Sequence, residues 1–449
     1  MEQPTSLADL TDLTDLTDLT RPGELQTRLS RAFPQAGGAN AIGVWLFHSS
    51  RSKFAVVGHP DLLPVGCFAK LFTATLAGTA MEDRHFELGT AVSQFLGDCP
   101  ALADLLSRVT IRQLLEHTHG LDDSRLMRAP MLSNGRIDLD ALYPELGARR
   151  LHEPGRLYSY GRAGPWLLCA ILERCYNKTY AQVLNDELLA PLGITIGVHG
   201  AYDTTEAARI CGATGGGLAI SGRDLLQFLQ YQLSGLDRAC LGRADPNSLD
   251  SEVIALPGWS PRECGIRLGW KHYGSGWFGH NSVHPGAPAL LRVNPRQRLG
   301  FIVACTHHSP MSVATAVLGK DLPGFVSLHM PKLLTAAESA GKDASRYVGV
   351  YQKAATAIRV TGNAITSLEL RAYKRSGGAT DPSPFFSARL RPARENIFFT
   401  HPSDAQMVPF VQFVEPSEGS FEYLWNGTTL WPNATPEPAT QCSAELRAG

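Results

Sequence analysis

The sequence lacks three features that would indicate a membrane, nucleic-acid-binding or zinc-binding protein. No apolar run approaches the ~20 residues that a membrane-spanning helix needs, so no membrane partner is expected. The 449 residues carry a net charge of −1, so no nucleic-acid partner is expected either. The nine cysteines are scattered without a Cys-x-x-Cys pair, which is typical of reduced thiols and not of a disulfide framework or zinc site. We therefore expect neither a metal nor a cofactor.

The first residues lack the basic start and apolar core of a secretory signal. They read MEQPTSLADLTDLTDLTDLT, in which a Leu-Thr-Asp triplet recurs with a period that fits neither a helix nor a strand. This pattern predicts a disordered, low-complexity tail over residues 1–22, with a short partner-docking helix as the alternative. Because no export signal is recognised, we expect a cytoplasmic protein.

The rest of the chain divides by pattern into two predicted domains. Over residues 23–335, strand-like runs such as GANAIGVWLFHSSRSKFAVVGH flank segments with helical spacing. This order predicts an α/β domain in which an antiparallel sheet carries an inserted helical cluster. Over residues 336–449, short strand-like runs separated by turn residues predict an all-β accessory domain, a sandwich or barrel. Its expected role is to cover or brace the first domain.

One cysteine needs a chemical explanation. The stretch PVGCFAKLFTATLAG begins a predicted helix, with Cys67 on its first turn and Lys70 three residues later. Residues three apart share a helix face, and a helix N-terminus and a nearby ammonium both lower the pKa of a thiol. A lysine in an apolar helix is itself desolvated, which lowers its own pKa. The pair fits a nucleophile with its base, although the spacing alone also fits a buried cysteine beside a structural lysine.

Five ordered segments place this pair in a wider pattern. They are PVGCFAKLFTATLAGTAMEDRHFELGTAVSQFLGD, RVTIRQLLEHTHGLDD, PGRLYSYGRAGPWLLCAILERCYNKTYAQVLNDELLAPLGI, ATGGGLAISGRDLLQFLQYQL and FGHNS. In order and spacing they resemble the serine β-lactamase and penicillin-binding-protein superfamily, especially its class C-like branch of esterases, D-aminopeptidases and acyltransferases. The resemblance spans roughly residues 40–330 and implies the β-lactamase/transpeptidase-like fold.

The resemblance implies roles for residues in the first two family motifs. The family nucleophile is the serine of S-x-x-K, and the matching residues are Cys67 and Lys70. For the second motif, Y-x-N, Tyr158 and Tyr160 compete. The distance to the following helix favours Tyr160 as the general acid/base, with Arg162 in place of the usual Asn. Arg162 could grip a substrate carboxylate or a carrier phosphate, or form a salt bridge with a nearby acidic residue.

The third family motif, K-T-G or H-x-G, matches His280-Asn281-Ser282, with Ser in place of Gly. The resemblance implies that His280 lies on a strand beside the site and that Asn281 and Ser282 line the acyl pocket. The extra side chain of Ser282 should narrow the space beside the strand. By the same analogy, the backbone N–H groups of Cys67 and Val283 would form the oxyanion hole.

A cysteine nucleophile changes the expected chemistry. Its S-acyl intermediate is a thioester, which exchanges readily with other thioesters and is open to attack by amines. We therefore predict a Cys67-dependent enzyme of acyl transfer or release in specialised metabolism. Its substrate would be a small-molecule acyl group, including one bound to a carrier protein or coenzyme A. The alternatives are an esterase, thioesterase or D-aminopeptidase, a non-catalytic scaffold, and Cys67-dependent non-acyl chemistry.

Overall fold

The computed structural model describes residues 23–36, 40–49, 51–58, 63–126, 130–146, 150–198, 218–233, 253–258, 260, 263–282, 288–322, 325, 334–339, 342–376, 379–393, 396–400, 410–417, 420–426 and 429–434. The predicted tail over residues 1–22 lies outside these ranges. The α-helices are Glu24–Ala32 (α1), Ala69–Glu82 (α2), Pro100–Leu105 (α3), Ile111–Leu115 (α4), Leu139–Leu142 (α5), Ala163–Tyr176 (α6), Tyr180–Leu184 (α7), Gly222–Gln232 (α8), Pro310–Leu318 (α9) and Ala336–Ser339 (α10).

The strands are Ile42–His48 (β1), Arg51–Val57 (β2), Leu63–Pro64 (β3), Ile196–Val198 (β4), Leu218–Ile220 (β5), Ile254–Ala255 (β6), Gly265–Arg267 (β7), Trp270–His272 (β8), Phe278–Ser282 (β9), Ala289–Asn294 (β10), Leu299–Cys305 (β11), Gly349–Gln352 (β12), Thr356–Thr361 (β13), Glu369–Ser376 (β14), Ala379–Thr380 (β15), Phe386–Pro392 (β16), Ile397–Thr400 (β17), Phe410–Ser417 (β18), Ser420–Trp425 (β19) and Leu430–Pro432 (β20). Shorter 3₁₀ turns are Gly66–Phe68, Val92–Phe95, Tyr143–Leu146, Ser345–Tyr347 and Ile365–Ser367, and Asn185–Leu189 is a π turn.

Two compact units make up the chain. The first is drawn from Met1–His85, Cys175–Val253 and Trp270–Ser327, and the second from Phe86–Arg174, Ile254–Gly269 and Leu328–Gly449. The predicted boundaries at residues 22 and 335 stay a prediction.

An antiparallel sheet with helices on both faces forms the first unit. Its strands run in the order β2-β1-β11-β10-β9-β8. Alternate residues of a strand face opposite sides: Val44 packs in the core cluster that contains Leu29 of α1 and Val317 of α9. A side chain at Gly222 of α8 would overlap the ring of Trp45, so α8 approaches the other face closely. This architecture confirms the predicted antiparallel sheet.

Helix α2 is buried along most of its length because its sequence is apolar all round. The side chains from Ala69 to Ala80 are buried, as expected for a helix without a polar face. Its threonines avoid unpaired hydroxyls by donating within the unit; Thr75 Oγ1 donates to the Leu71 carbonyl at 2.8 Å. The rings of Phe72 and Phe228 meet edge to face at 4.7 Å. Helix α2 is therefore a rigid support for the turn that precedes it.

The second unit contains helices α3–α5, most of α6, helix α10, the pair β6–β7, and a sheet that we call the barrel. The described strands β12–β20 form this antiparallel sheet of nine strands. Its two ends approach each other, because the backbone N–H of Ala434 donates to the Val350 carbonyl at 2.8 Å and Tyr351 bridges Asn433. The barrel is thus nearly closed, which confirms the predicted all-β accessory fold.

Caps explain where several helices begin. Thr110 and Gln113 form a capping box at α4. The sequence predicts Ser221 as the cap of α8, and its Oγ accepts from the Asp224 N–H at 3.0 Å. The spacing of Ile111, Leu114 and Leu115 predicts a helix that Gly120 ends, and this predicted end is wrong. Helix α4 ends at Leu115 and not at Gly120, because His117 takes a left-handed backbone conformation with φ of 53°, which a helix cannot continue through.

Candidate active site

The Cys67 turn, defined as Gly66–Phe68, leads from β3 into α2. Gly66 has a left-handed backbone conformation, with φ of 48°, which bends the chain sharply at this point. Cys67 is partly exposed, whereas Lys70 in the first turn of α2 is buried, with 5% of its surface accessible. Because residues three apart lie on one face of a helical path, a reachable sulfur and a desolvated amine share one side of the chain.

Strand β9 packs beside the Cys67 turn and carries His280. This imidazole is buried, and its pKa lies well below the ordinary value, first because burial disfavours the cation and then because Lys271, Lys70 and Arg292 repel it. Its Nδ1 lies 2.7 Å from the Asn281 carbonyl oxygen. Since a carbonyl only accepts, Nδ1 carries the proton, and Nε2 is the acceptor of a neutral ring.

Arg292 on β10 fixes the position of the neighbouring Asn281. The guanidinium is fully buried and stacks 3.5 Å from the centroid of the Tyr273 ring. It donates to Asn281 Oδ1 at 2.9 Å and to the His280 carbonyl at 3.2 Å. Arg292 is not among the predicted site residues, although an arginine inside the apolar run PALLRVN is a signal of a buried polar role.

Ser282 at the end of β9 fills space that the Cys67 turn leaves open. The residue is 1% exposed, and its Oγ has no hydrogen-bond partner among the residues that the structure describes. A Cβ atom added at Gly66 would overlap this Oγ. The hydroxyl is therefore accommodated only because the residue before Cys67 is a glycine. Val283, the predicted second oxyanion donor, lies outside the described residues.

The Tyr160 loop, residues 158–162, lies in the second unit and precedes α6. The carboxylate of Asp123 caps the helix: its Oδ2 accepts from the Arg162 N–H and, at 3.0 Å, from the Ala163 N–H. A Cβ atom at Gly161 would overlap the same oxygen, so only glycine permits this approach. The sequence does not point to Asp123, because this residue caps a helix that begins 40 residues further along the chain.

His117 supports the tyrosine of this loop directly. Its Nδ1 accepts from the Gly161 N–H at 3.3 Å, and its ring lies 4.8 Å from the Tyr160 ring centroid. Tyr160 is partly exposed, whereas Tyr158, the competing candidate, is 1% exposed. No described carboxylate forms an ion pair with the side chain of Arg162, which is itself partly exposed.

The structure thus distributes the predicted site residues between the two units. Cys67, Lys70 and the motif on β9 belong to the first unit, and Tyr160 and Arg162 belong to the second. Their catalytic and binding roles stay predictions. Within the described ranges, no group of three His, Cys, Asp or Glu side chains is placed to hold a metal ion. No helix in that part of the chain is long and apolar enough to cross a membrane.

Comparison with known proteins decides the family. Residues 59–318, more than half of the chain, match the family model described as Beta-lactamase. The chain belongs to the β-lactamase family. This result confirms the resemblance that the five sequence segments carry, and with it the predicted fold of the segment that contains Cys67 and His280.

This β-lactamase-family chain is similar to a curated penicillin-binding protein and to several solved structures. Penicillin-binding protein 4 from Amycolatopsis lactamdurans is 25% identical over 328 residues, which is 64% of this chain and 84% of that protein. SurE, solved with D-Leu, has a TM-score of 0.68 at 21% identity and covers 92% of this chain and 98% of its own. A D-amino acid amidase from Ochrobactrum anthropi SV3, complexed with D-phenylalanine, has a TM-score of 0.51 at 16% identity and covers 67% and 98%. The solved structures establish the shared fold.

Proposed function

We propose that this protein is an acyltransferase that holds its acyl group on Cys67 as a thioester. The observation that carries the proposal is the Cys67 turn: an accessible thiol precedes the buried amine of Lys70 by three residues. The family usually has a serine at this place, and a thiol is the better nucleophile at neutral pH. The neutral imidazole of His280 beside the turn adds an acceptor without adding positive charge.

The first half-reaction transfers the acyl group to the enzyme. The Cys67 thiol gives its proton to Lys70, the proposed base, and the thiolate attacks the carbonyl carbon of a donor thioester. A carbon–sulfur bond to Cys67 forms, and the bond to the donor sulfur breaks. The donor thiolate takes up the proton, which Lys70 returns with Tyr160 as the proposed relay.

The second half-reaction transfers the acyl group to an amine. The amine nitrogen attacks the S-acyl carbon, a carbon–nitrogen bond forms, and the bond to Cys67 breaks. The amine loses one proton to Lys70 through Tyr160, and Cys67 leaves as a thiolate. The products are an amide and the enzyme with a Cys67 thiolate and a Lys70 ammonium; a proton shift between them restores the starting state.

Arg162 is the proposed contact for an anionic group of the substrate. Its side chain is partly exposed and has no ion pair with a described carboxylate. A guanidinium binds a carboxylate or a phosphate through two parallel hydrogen bonds. A carrier-protein or coenzyme A thioester supplies such a phosphate, so we place the enzyme in cytoplasmic, specialised metabolism. D-amino acids are present in two of the neighbouring structures, so D-aminoacyl donors belong in the substrate panel.

The second candidate function is hydrolysis, with water as the acceptor. It is favoured by the likeness to a D-amino acid amidase. Hydrolysis uses the same first half-reaction, so only the acceptor distinguishes the two functions. A non-catalytic scaffold and non-acyl chemistry at Cys67 are the remaining alternatives.

Intact-mass spectrometry after incubation with acyl-thioesters tests the proposal. The panel contains D- and L-aminoacyl groups on coenzyme A, on a carrier protein and on a simple thiol. We expect the wild-type protein to gain the mass of the acyl group, and Cys67→Ala to gain none. Cys67→Ser is the matched variant that restores the family nucleophile. Addition of an amine should discharge the adduct at least tenfold faster than water alone.

The outcomes separate the candidates. Discharge by water at the same rate with and without amine would favour a hydrolase. An adduct of unchanged mass in Cys67→Ala would place the nucleophile elsewhere and refute the proposal. No adduct with any donor, together with full biological function of Cys67→Ala, would leave a scaffold.

A further inference from the structure

We infer that the barrel positions Tyr160 through hydrogen bonds from two of its turns. One turn contacts the Tyr160 loop, and the other contacts residues 122–124, which hold the loop. This inference rests on the proposed function, in which Tyr160 relays a proton. All residues concerned belong to the second unit. The positioning residues are Ser159 on the loop and Thr429 and Lys353 on the barrel.

The first contact reaches the residue immediately before Tyr160. Thr429, next to β20, places its Oγ1 3.2 Å from Ser159 Oγ. The backbone N–H of Leu430 donates to the same Ser159 oxygen at 3.2 Å. On its other side, the backbone N–H of Ser159 donates to the His117 carbonyl at 2.9 Å. Ser159 is therefore held between the barrel and the residue whose ring packs on Tyr160.

Lys353 orients the barrel side of this contact. This lysine, in the turn between β12 and β13, is 6% exposed and donates through Nζ to Thr429 Oγ1 at 2.7 Å. Its ammonium also lies 5.7 Å from the centroid of the Trp431 ring. A buried ammonium without such partners is costly, so the lysine keeps the Thr429 hydroxyl in one place.

The second contact supports the other end of the Tyr160 loop. The same barrel turn donates from the Ala354 N–H to Asp122 Oδ2 at 2.7 Å and from the Ala355 N–H to Ser124 Oγ at 3.0 Å. Between these two acceptors lies Asp123, the carboxylate that caps α6 at Arg162. The barrel therefore fixes the residues on which both ends of the loop depend.

Apolar packing joins the same surfaces. Leu157, just before the loop, is part of a buried cluster with Val414, Tyr423 and Trp425 of the barrel. The neighbours Phe413 and Leu424 belong to a separate cluster. Because successive residues of a strand face opposite sides, one face of the barrel fills its own core and the other supports the loop.

The test compares Thr429→Val with Thr429→Ser and with Thr400→Val in the full chain. Valine removes the hydroxyl without changing the volume much, and serine restores it. Thr400 on β17 is also buried, and its side chain makes no hydrogen bond with a described residue, so it is the matched control. Lys353→Met is a second variant of the same network.

We expect Thr429→Val to slow acylation of Cys67 by about 10- to 10²-fold, with KM changed less than twofold and the alkaline limb of the pH profile shifted. Thr429→Ser and Thr400→Val should stay within twofold of wild type. In a protein that already carries Tyr160→Phe, Thr429→Val should not slow acylation any further. An equal loss in that background, or no loss at all, would overturn the inference.

Hydrogen exchange separates this inference from the proposed function. If no acyl adduct forms on the wild-type protein, the function fails, but the loop can still be measured. Positioning by the barrel requires that amides of residues 158–163 exchange at least tenfold faster in Thr429→Val than in Thr400→Val. Equal exchange in the two variants would refute it.

Discussion

At the scale of single residues, Gly66 and Ser282 are a coupled pair. The family has glycine where this chain has Ser282, and the added hydroxyl lies where a Cβ atom of residue 66 would be. A Cβ atom at residue 66 would force the Ser282 hydroxyl to move. The serine on β9 is therefore accompanied by a fitting glycine beside Cys67.

We predict that Gly66→Ala destabilises the protein by about 2–4 kcal/mol. About 1–2 kcal/mol comes from an alanine at positive φ, and the rest comes from overlap with Ser282. Urea unfolding measures the loss. In the double variant Gly66→Ala/Ser282→Gly the overlap is removed, so only the backbone cost should remain. If the double variant is no more stable than Gly66→Ala, the two side chains are not coupled.

At the scale of elements, the start of α6 depends on one carboxylate. Asp123 accepts from two backbone N–H groups and lies at the positive end of the helix. Asp138 caps α5 through a single bond, to the Ala141 N–H at 3.0 Å. Both caps are aspartates at the start of a helix, but they differ in the number of hydrogen bonds and in exposure. They can therefore be compared directly.

We predict that Asp123→Ala lowers the free energy of unfolding by about 2 kcal/mol, at the upper end for a helix cap. Asp138→Ala should cost less, about 0.5–1 kcal/mol, because its cap is exposed. Asp123→Asn keeps an acceptor and should fall between the two. Chemical denaturation checks the order; equal losses for the two alanine variants would contradict it.

The elements also show what sequence reasoning could reach. The two first strands and the cap at Ser221 follow local rules, so periodicity and capping chemistry predict them. The true end of α4 depends on the left-handed His117, which a local pattern does not reveal. Arg292 and the contacts of Thr429 join residues distant in sequence. Their partners are set by tertiary packing, so a single sequence offered only weak signals for them.

At the scale of the whole molecule, two buried histidines make stability depend on pH. His119 and His152 lie where the helices meet the barrel, and Lys353 repels the charged form of each. Burial is the largest cause of the lowered pKa in both, and His119 falls to about 4. Its Nδ1 accepts from the Leu121 N–H at 3.1 Å, which suits the neutral ring.

We predict that the protein loses stability as the pH falls from 6.5 to 4. In this window the unfolded chain binds a proton on His119 and the folded chain does not. This difference lowers the free energy of unfolding by up to about 3 kcal/mol at pH 4. His119→Asn keeps an acceptor for Leu121 and removes the titration. Urea unfolding at pH 4.5, 5.5 and 7 gives the free energy of unfolding as a function of pH. This free energy should fall less steeply with falling pH in the variant, and His152 should account for part of the fall that remains. An unchanged slope would rule out His119 as a source.

The aromatic filling of the barrel has a consequence for how such a protein can diversify. Tyr347, Phe398, Phe413 and Phe421 pack against one another on the inner face of the described strands. Changes there are constrained by folding. The turns at Lys353 and Thr429 are constrained in a second way, because they also have to keep their contacts with Asp122, Ser124 and Ser159.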